Sequence, residues 1–317
     1  MQSAVEWLLG CDQPAVRHQT LVEILNRPSD DEDVRRARAE VTKRGWVAEI
    51  LREQLQGGYW HNYALLNRPK YVATMWKFLA VVDLGATAED ARVVKTCELL
   101  SSRLLRRREN FHLCTTANLA RSFVRAGYDG HHRVRRALDW LVDEQKEDGG
   151  WHCFESSRGT LDCWEPLSAF AALPRSRWSR RIKRSAERGA EFYLERRLFR
   201  EGPRRYAPWF RFHYPVHYYY DLLVGLEVLV SLGYEDDSRL GFALEVLRRK
   251  MKRDGRWILD ELQPDLGRLP KSSYSFELPF EPFPAIRFGL EKPGRPSKVI
   301  TLRALKVLKT VGEDIVG

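Results

Sequence analysis

The sequence predicts an all-α protein, an α/α toroid in which apolar inner helices surround a centre and polar outer helices face water. Apolar segments of roughly ten to fourteen residues alternate with amphipathic, charged segments, which is the periodicity of helices. The period-2 alternation typical of strands never persists for more than a few residues. The number of segments indicates about five to six inner–outer helix pairs with a short N-terminal helical hairpin.

Composition places the chain among cytoplasmic globular proteins. Of its 317 residues, 44% are hydrophobic and 30% are charged, and no apolar run approaches the roughly 20 residues that cross a bilayer. The N-terminus lacks the basic head and long apolar centre of a signal peptide. Five cysteines in so long a chain do not suggest a disulfide framework. We therefore expect a reducing, cytoplasmic compartment.

The net charge of +10 comes mostly from arginine and leaves several partners open. It could attract nucleic acid, an anionic lipid surface in a peripheral contact, or a diphosphate. The basic stretch 175–205 could follow a phosphate backbone, but its periodicity is that of an outer amphipathic helix. We interpret it as a solvated face, which gives no strong nucleic-acid signal. The oligomeric state is left open.

The N-terminal segment 1–27 is predicted to form two short helices, with Pro14 in the first turn of the second. A charged helix is predicted over 31–53, with Ser29 or Asp30 as its N-cap. Acidic residues at its start lie at the positive end of the helix dipole, which favours a solvated helix start over a catalytic cluster.

Three helix endings share one pattern, in which glycine and then tryptophan follow a charged helix. They are QLQGGYW at 54–60, QKEDGGW at 145–151 and RDGRW at 253–257. A glycine of this kind ends a helix in the left-handed conformation, and the tryptophan is expected to pack back over the last turn. The pattern predicts a repeated unit of outer helix, turn and inner helix.

These units divide the chain into a hairpin, residues 1–39, packed on a toroid formed by residues 40–317. The predicted inner segments are 71–85, 114–128, 163–174, 220–234 and 300–312. The predicted outer segments are 31–53, 88–107, 131–147, 178–197 and 236–252. The segment 258–296 carries seven of the fifteen prolines, and we expect it to be a long loop across an opening.

The run RRALDWLVDEQKEDGGW at 135–151 resembles the Gln-Trp repeat of squalene and terpene cyclases and of protein prenyltransferase β-subunits. The chain resembles this prenyltransferase/squalene-oxidase repeat superfamily over about residues 40–312, and most closely its small bacterial single-toroid members. The resemblance implies a toroid whose central cavity binds an isoprenoid. Class II cyclases of the superfamily protonate their substrate from an Asp-x-Asp-Asp motif, and no inner segment of this chain contains one.

Carboxylates near the starts of inner segments are therefore the candidate proton donors: Asp162, Glu165 and Asp221. A carboxyl group held in an aromatic cavity loses hydration, so its pKa rises and it can donate a proton near neutral pH. The alternative is structural: Asp162 caps the helix that follows it, and Glu165 pairs with an arginine.

Aromatic side chains are the candidate walls of the cavity. An aromatic face stabilises a carbocation by about 0.5 to 2 kcal/mol, and a pocket of such rings suits a polyisoprene chain. Ordinary packing is the alternative for any one ring. The candidate substrate-binding residues are Trp76, Trp151, Trp164, Trp209, Tyr218, Tyr219 and Tyr220.

Three cysteines predict a metal site at one rim of the ring. Cys114 and Cys163 begin neighbouring inner segments, where a helix N-terminus favours thiolate, and the loop after Trp151 brings Cys153 to the same rim. With His112, they could hold Zn²⁺ in tetrahedral geometry. Prenyltransferase β-subunits hold catalytic zinc with Asp, Cys and His, a pattern that is not matched here. Small buried thiols are the alternative.

Together these residues predict a terpene cyclase- or prenyltransferase-like protein that binds an isoprenoid or similar apolar molecule, with or without catalysis. A non-catalytic module that binds a ligand or a protein is the first alternative, and nucleic-acid binding by the basic face is the second. A sealed aromatic cavity with a buried carboxyl group would favour the enzyme.

Overall fold

The computed structural model describes residues 3–108, 111–201, 206–262 and 290–315. Helix accounts for 53% of the chain and strand for 4%, which confirms the all-α prediction. Most of the proline-rich loop falls outside the described residues, and so does the expectation that it crosses an opening. Within the described residues, no helix is long and apolar enough to traverse a bilayer.

The α-helices follow one another with short connections. They are α1 (Ala4–Leu8), α2 (Pro14–Gln19), α3 (Glu32–Glu40), α4 (Gly45–Arg52), α5 (Thr74–Asp83), α6 (Ala91–Arg103), α7 (Leu113–Arg125), α8 (His132–Asp143), α9 (Glu165–Ala172), α10 (Arg180–Glu195), α11 (Leu222–Ser231), α12 (Gly241–Lys250) and α13 (Lys298–Thr310). A π-helical turn, Thr20–Ile24, continues α2, and 3₁₀ turns span Arg175–Arg177, Ala207–Phe210 and Ser238–Leu240. Two short parallel strands, β1 (His213–Tyr214) and β2 (Glu261–Leu262), pair with each other.

The predicted helix over 31–53 is two helices, α3 and α4. Residues 41–44 separate them, and α4 begins at Gly45, whose φ of +68° is a backbone conformation that costs glycine little. A Cβ at this position would also lie 2.7 Å from Oε1 of Gln13. The N-cap of α3 is Asp31, whose side chain accepts hydrogen bonds from the backbone N–H groups of Asp33 and Val34. The prediction of Ser29 or Asp30 as the cap was wrong by one or two positions.

The apolar helices pack in the order in which they occur. α5 contacts α7, α7 contacts α9, α9 contacts α11, and α11 contacts α13. α13 packs on α1, α2 and the π-helical turn, and the Gln19 side chain donates a hydrogen bond to the backbone oxygen of Asp83 at the end of α5. The polar helices lie beside this series, with α8 on α7 and α9, α10 on α8 and α9, and α12 on α11. This packing order is the one a toroid requires, and the closed ring itself stays a prediction.

The three glycine–tryptophan turns share one hydrogen bond. Each indole N–H donates to the backbone oxygen ten residues earlier in the preceding outer helix: Trp60 to Ile50 (2.8 Å), Trp151 to Leu141 (2.7 Å) and Trp257 to Leu247 (2.8 Å). All three rings are buried. The repeated sequence pattern thus forms a repeated local structure, because each ring covers the last turn of its helix and satisfies one of its terminal carbonyls.

The glutamine of the first two turns connects neighbouring outer helices. Gln54 donates to the backbone oxygen of Arg92 in α6 (3.0 Å), and Gln145 donates to that of Ser185 in α10 (2.8 Å). The turn approaches the next helix so closely that a Cβ on Gly149 (φ +88°) would lie 2.5 Å from the Arg188 backbone oxygen. Glycine is needed here for both conformation and space.

Candidate functional site

The three thiols of the predicted metal site lie together. Cys114 is in the first turn of α7, Cys153 is in the loop after Trp151, and Cys163 directly precedes α9. Their Sγ atoms all lie within 4.8 Å of one another. Cys114 and Cys153 form a disulfide, and Cys163 Sγ lies 3.4 Å from Cys153 Sγ. Such a cluster could hold a metal ion when its thiols are reduced.

The loop that carries Cys163 is fixed from two sides. The Glu201 carboxylate accepts hydrogen bonds from the Thr160 hydroxyl (2.9 Å) and the Leu161 backbone N–H (3.1 Å). The Tyr193 hydroxyl donates to the Leu161 backbone oxygen (2.9 Å). Burial raises the pKa of the Cys163 thiol, and the nearby Glu165 raises it further. Without a cation beside it, Cys163 therefore stays a neutral thiol at neutral pH.

His112 does not join the thiol cluster. It is the exposed N-cap residue of α7, and among the described residues its ring is not part of the group of close ligand atoms. His112 and Cys114 point in different directions because residues two positions apart are about 200° apart around a helix. Its inclusion as a metal ligand is therefore corrected, and the candidate donor set is three sulfurs.

Glu165 is the first residue of α9 and is fully buried. Its Oε1 accepts a hydrogen bond from the backbone N–H of Tyr218 (3.1 Å), while Oε2 has no hydrogen-bond partner among the described residues. Burial raises the pKa of this carboxyl to about 7, although Arg121 and Asn118 pull it down. The predicted alternative, an ion pair between Glu165 and an arginine, is not formed within the described parts of the chain, where Arg121 acts on Glu165 only through its charge.

Asp221 has a structural role. It is the N-cap of α11, where Oδ1 accepts from the Val224 backbone N–H (2.9 Å) and Oδ2 lies 2.8 Å from Nδ1 of His213. Burial alone would raise the pKa of Asp221, but the charge and hydrogen bond of His213 outweigh it, so the pKa is lowered. An ionised cap is a poor proton donor, which corrects the prediction for this residue.

Asp162 lies at the surface rather than in a cavity. Its Oδ1 accepts a hydrogen bond from the indole N–H of Trp209 (2.8 Å). The residue is exposed as a whole, yet its carboxylate is partly removed from water, and this raises its pKa. Asp162 therefore holds the Trp209 ring in place through this hydrogen bond. It does not cap α9, whose N-cap is Trp164.

Six of the seven predicted substrate-binding rings divide into two groups of three, and Tyr219 belongs to neither. Trp151 packs on Phe170, Trp209 packs edge-on against Tyr220, and the Tyr220 hydroxyl donates to the Leu198 backbone oxygen. These three rings belong to the hydrophobic core, and their role as walls of a cavity stays a prediction. Tyr219 is half-buried with its ring edge-on to His213.

Trp76, Trp164 and Tyr218 form the second group, around Glu165. The Trp76 and Tyr218 rings meet edge to face, with 5.2 Å between their centroids. The Tyr218 hydroxyl is hydrogen-bonded to that of Thr115 (2.8 Å), so Tyr218 bridges α7 and α9. Tyr218 has a φ of +65°, which is unusual for a residue with a side chain.

A buried network of charges beneath Glu165 was not predicted. We call Asp83, Asn118, Arg121, Glu165 and His217 the central polar cluster. The Arg121 guanidinium is 3.4 Å from Oδ2 of Asp83 and 3.5 Å from Nδ1 of His217. Arg125 reaches Asp83 from the surface, at 2.9 Å from Oδ1.

The charge states within the central polar cluster follow from burial and pairing. Burial would raise the pKa of Asp83, but the charges of Arg121 and Arg125 outweigh it and lower the pKa. Burial lowers the pKa of His217 to about 3. At neutral pH the cluster therefore holds an ionised Asp83, a charged Arg121 and a neutral His217.

One sequence signal could have revealed this cluster. Thr115, Asn118, Ser122 and Arg125 are spaced three or four residues apart on α7, and Arg121 adjoins them. This spacing places polar side chains on one face of an otherwise apolar helix. The high overall hydrophobicity of the segment predicts an apolar inner helix and does not show this polar face.

The basic stretch forms the solvent side of the outer layer. Within α10, Arg181 pairs with Asp143, and Arg188 donates to the Lys146 backbone oxygen (2.9 Å). The Arg175 guanidinium stacks 3.9 Å from the centre of the Trp178 ring. Residues 202–205 lie outside the described residues. These contacts join outer helices to one another, as expected for a solvated face.

Comparison of the chain with protein-family models, with curated proteins and with solved structures found no match. Function is therefore inferred from the residues and geometry of this chain. The thiol cluster, Glu165 with its aromatic neighbours, and the central polar cluster all lie at the contact of α7 and α9.

Proposed function

We propose that this protein is a terpene cyclase- or prenyltransferase-like enzyme that binds an isoprenoid and protonates it from Glu165. The observation that carries the proposal is the Glu165 carboxyl, which is fully buried, leaves one oxygen without a partner and adjoins Trp164 and Tyr218. The resemblance of the repeated helix–turn unit to the Gln-Trp repeat supports the choice of substrate class, by analogy of fold.

The environment of Glu165 suits proton transfer. With its pKa raised to about 7, a large share of the side chains is un-ionised at neutral pH. The proton would pass to one carbon of a substrate double bond, whose π electrons form the new C–H bond, and the other carbon would become a carbocation. The positive charge of Arg121 stabilises the carboxylate that is left behind.

Aromatic faces near Glu165 can stabilise the cation that forms. Two of these rings already face cations, because the Arg121 guanidinium lies 5.1 Å from the centre of the Trp164 ring and Lys70 Nζ lies 5.1 Å from that of Tyr218. Burial strengthens such contacts, since little water competes for the charge.

The change Glu165→Gln tests this proposal. The amide keeps the shape of the side chain but cannot supply the proton, so product formation should fall at least about a hundredfold. Wild type and variant are incubated with squalene and with geranyl, farnesyl and geranylgeranyl diphosphates, and products are identified by gas chromatography and mass spectrometry. Exposed Glu195 provides a matched Glu→Gln control that should leave the yield unchanged.

Two results would contradict the proposal. One is an equal yield from wild type and Glu165→Gln. The other is the absence of product from every substrate with a folded wild-type protein. Isoprenoid binding without any product would favour the non-catalytic binding module instead.

We further propose that the reduced thiol cluster holds Zn²⁺ through Cys114, Cys153 and Cys163. Three soft sulfur ligands suit zinc, and a set of three protein ligands leaves a fourth position open. The convergence of the sulfurs supports the proposal, and zinc binding would require the Cys114–Cys153 disulfide to be reduced. Bound zinc would supply a Lewis acid at this rim.

Metal analysis of protein purified under reducing conditions without chelator tests the zinc site. We expect about one zinc per wild-type chain and less than about 0.2 per chain in Cys163→Ser, because tight sites purify nearly full. Cys11 is exposed and outside the cluster, so Cys11→Ser should keep its zinc. Wild-type protein with less than about 0.2 equivalents would end the zinc proposal.

A further inference from the structure

Unpartnered polar groups concentrate where α7 faces α9. Buried polar atoms in proteins nearly always have hydrogen-bond partners. Five side chains here carry buried atoms that find none within the part of the chain that the structure describes: Asn118, Arg121, Ser122, Trp164 and Glu165. Four of the five offer N–H or O–H donors: the Asn118 amide, Arg121 Nε, Ser122 Oγ and Trp164 Nε1. Unpaired donors thus outnumber the unpaired acceptors, which are mainly Oδ1 of Asn118 and Oε2 of Glu165.

These donors are close to one another. Asn118, Arg121 and Ser122 are spaced three and four residues apart on α7, so they share one face of that helix. Arg121 lies over the Trp164 ring. Asn118 lies close enough to Glu165 to lower the pKa of its carboxyl, although the two side chains do not meet hydrogen-bond geometry. The guanidinium of Arg121 also makes only long contacts, at 3.4 to 3.5 Å from Asp83, Ser168 and His217.

The net charge around Asp83 favours the binding of an anion. Asp83 is the partner of two arginines, Arg121 and Arg125, so this group carries one net positive charge while His217 is neutral. A buried positive charge surrounded by unsatisfied donors is the environment that an oxyanion requires.

We propose that Asn118, Arg121 and Ser122 bind an oxyanion, namely a carboxylate or phosphate group of the substrate. The identity of the substrate rests on the proposed function, whereas oxyanion binding itself needs neither zinc nor proton transfer from Glu165. The unpartnered atoms have almost no accessible surface, and Tyr218 joins Thr115 to Glu165 above them. The ligand therefore reaches the donors by displacing the Tyr218 bridge.

Titration of the wild-type protein with sodium acetate, phosphate and pyrophosphate, at constant ionic strength and with chloride as reference, tests the proposal. Calorimetry and thermal unfolding should show saturable binding of at least one oxyanion beyond the effect of chloride. The three arms distinguish a carboxylate, a single phosphate and a diphosphate as the group that is recognised. Response to chloride alone would overturn the proposal.

Variants separate the site from general charge effects. Asn118→Leu removes two unpaired amide atoms, so we expect oxyanion affinity to fall at least about tenfold while the melting temperature without ligand does not fall. Ser122→Ala, a smaller change, should weaken binding in the same direction if Asn118→Leu does not fold. Arg248→Gln is the matched control, because this surface arginine lies on α12 and pairs with Glu313, and it should keep saturable binding. Equal affinity in wild type and both cluster variants would overturn the proposal.

Discussion

Replacing Asp83 by alanine should reduce the free energy of unfolding by about 3 to 5 kcal/mol, since it leaves a buried arginine without its counter-charge. The Arg121 side chain is 3% exposed, so water cannot replace the lost carboxylate. Denaturant unfolding monitored by circular dichroism measures the loss. The matched variant Arg125→Gln breaks the other ion pair of Asp83, whose arginine is 46% exposed, and should cost no more than about 1 kcal/mol.

The same aspartate gives a pH dependence with a definite sign. Its pKa in the folded protein is lowered, so its contribution to stability is fully present above the unfolded-state pKa, about 3.9. The contribution declines as the pH falls from there toward the folded-state pKa. Asp83→Ala should therefore lose less stability than wild type over that acidic range, and equal losses for Asp83→Ala and Arg125→Gln at neutral pH would contradict the buried ion pair.

Replacing Trp151 by alanine should cost about 3 to 5 kcal/mol of the free energy of unfolding, as for other fully buried large aromatic residues. The ring is 0% exposed and its N–H satisfies the Leu141 carbonyl. Trp151→Phe keeps most of the packing and leaves that carbonyl unpaired, so a smaller loss of about 1 to 3 kcal/mol is expected. Thermal and denaturant unfolding followed by far-ultraviolet circular dichroism measure both.

A control for Trp151 lies in the loop that follows it. Phe154 is 56% exposed, and its replacement by alanine should change stability by no more than about 0.5 kcal/mol. If Trp151→Ala were as mild as Phe154→Ala, the glycine–tryptophan turn would not be the unit that fixes each outer helix.

Local sequence signals predicted the parts of the fold that local interactions form. The three glycine–tryptophan turns follow from residues adjacent in the chain, and their shared indole hydrogen bond shows why the pattern repeats. The split between α3 and α4 was missed, since the close approach of Gly45 to Gln13 depends on how α2 packs beside them.

The candidate site was only partly predictable, because tertiary partners decide the role of each ionisable group. Asp221 and Glu165 both begin apolar helices, so the sequence predicts the same chemistry for both. The structure places His213 beside Asp221 and keeps it ionised, while Glu165 receives one backbone hydrogen bond and is left otherwise unpaired. No pattern within either helix distinguishes these two outcomes.

The central polar cluster could not be predicted from the sequence either, because its residues are brought together only by tertiary packing. Asp83, Arg121 and His217 come from separate parts of the chain, and each alone looks like a helix end, a surface arginine or a loop histidine. Their contact depends on the packing of α5 against α7 and on the course of the segment before α11. The only part of the cluster with a signal in the sequence is the polar face of α7, where polar residues recur every three or four positions.

Deuterium incorporation tests the central claim, proton transfer from Glu165, most directly. A carboxyl proton exchanges with solvent, so a reaction run in heavy water should give a product one mass unit heavier than the product made in ordinary water. Glu165→Gln should give no such product, while Glu195→Gln should match the wild type. An unlabelled product, or a labelled product formed equally well by Glu165→Gln, would contradict the role of Glu165 as the acid.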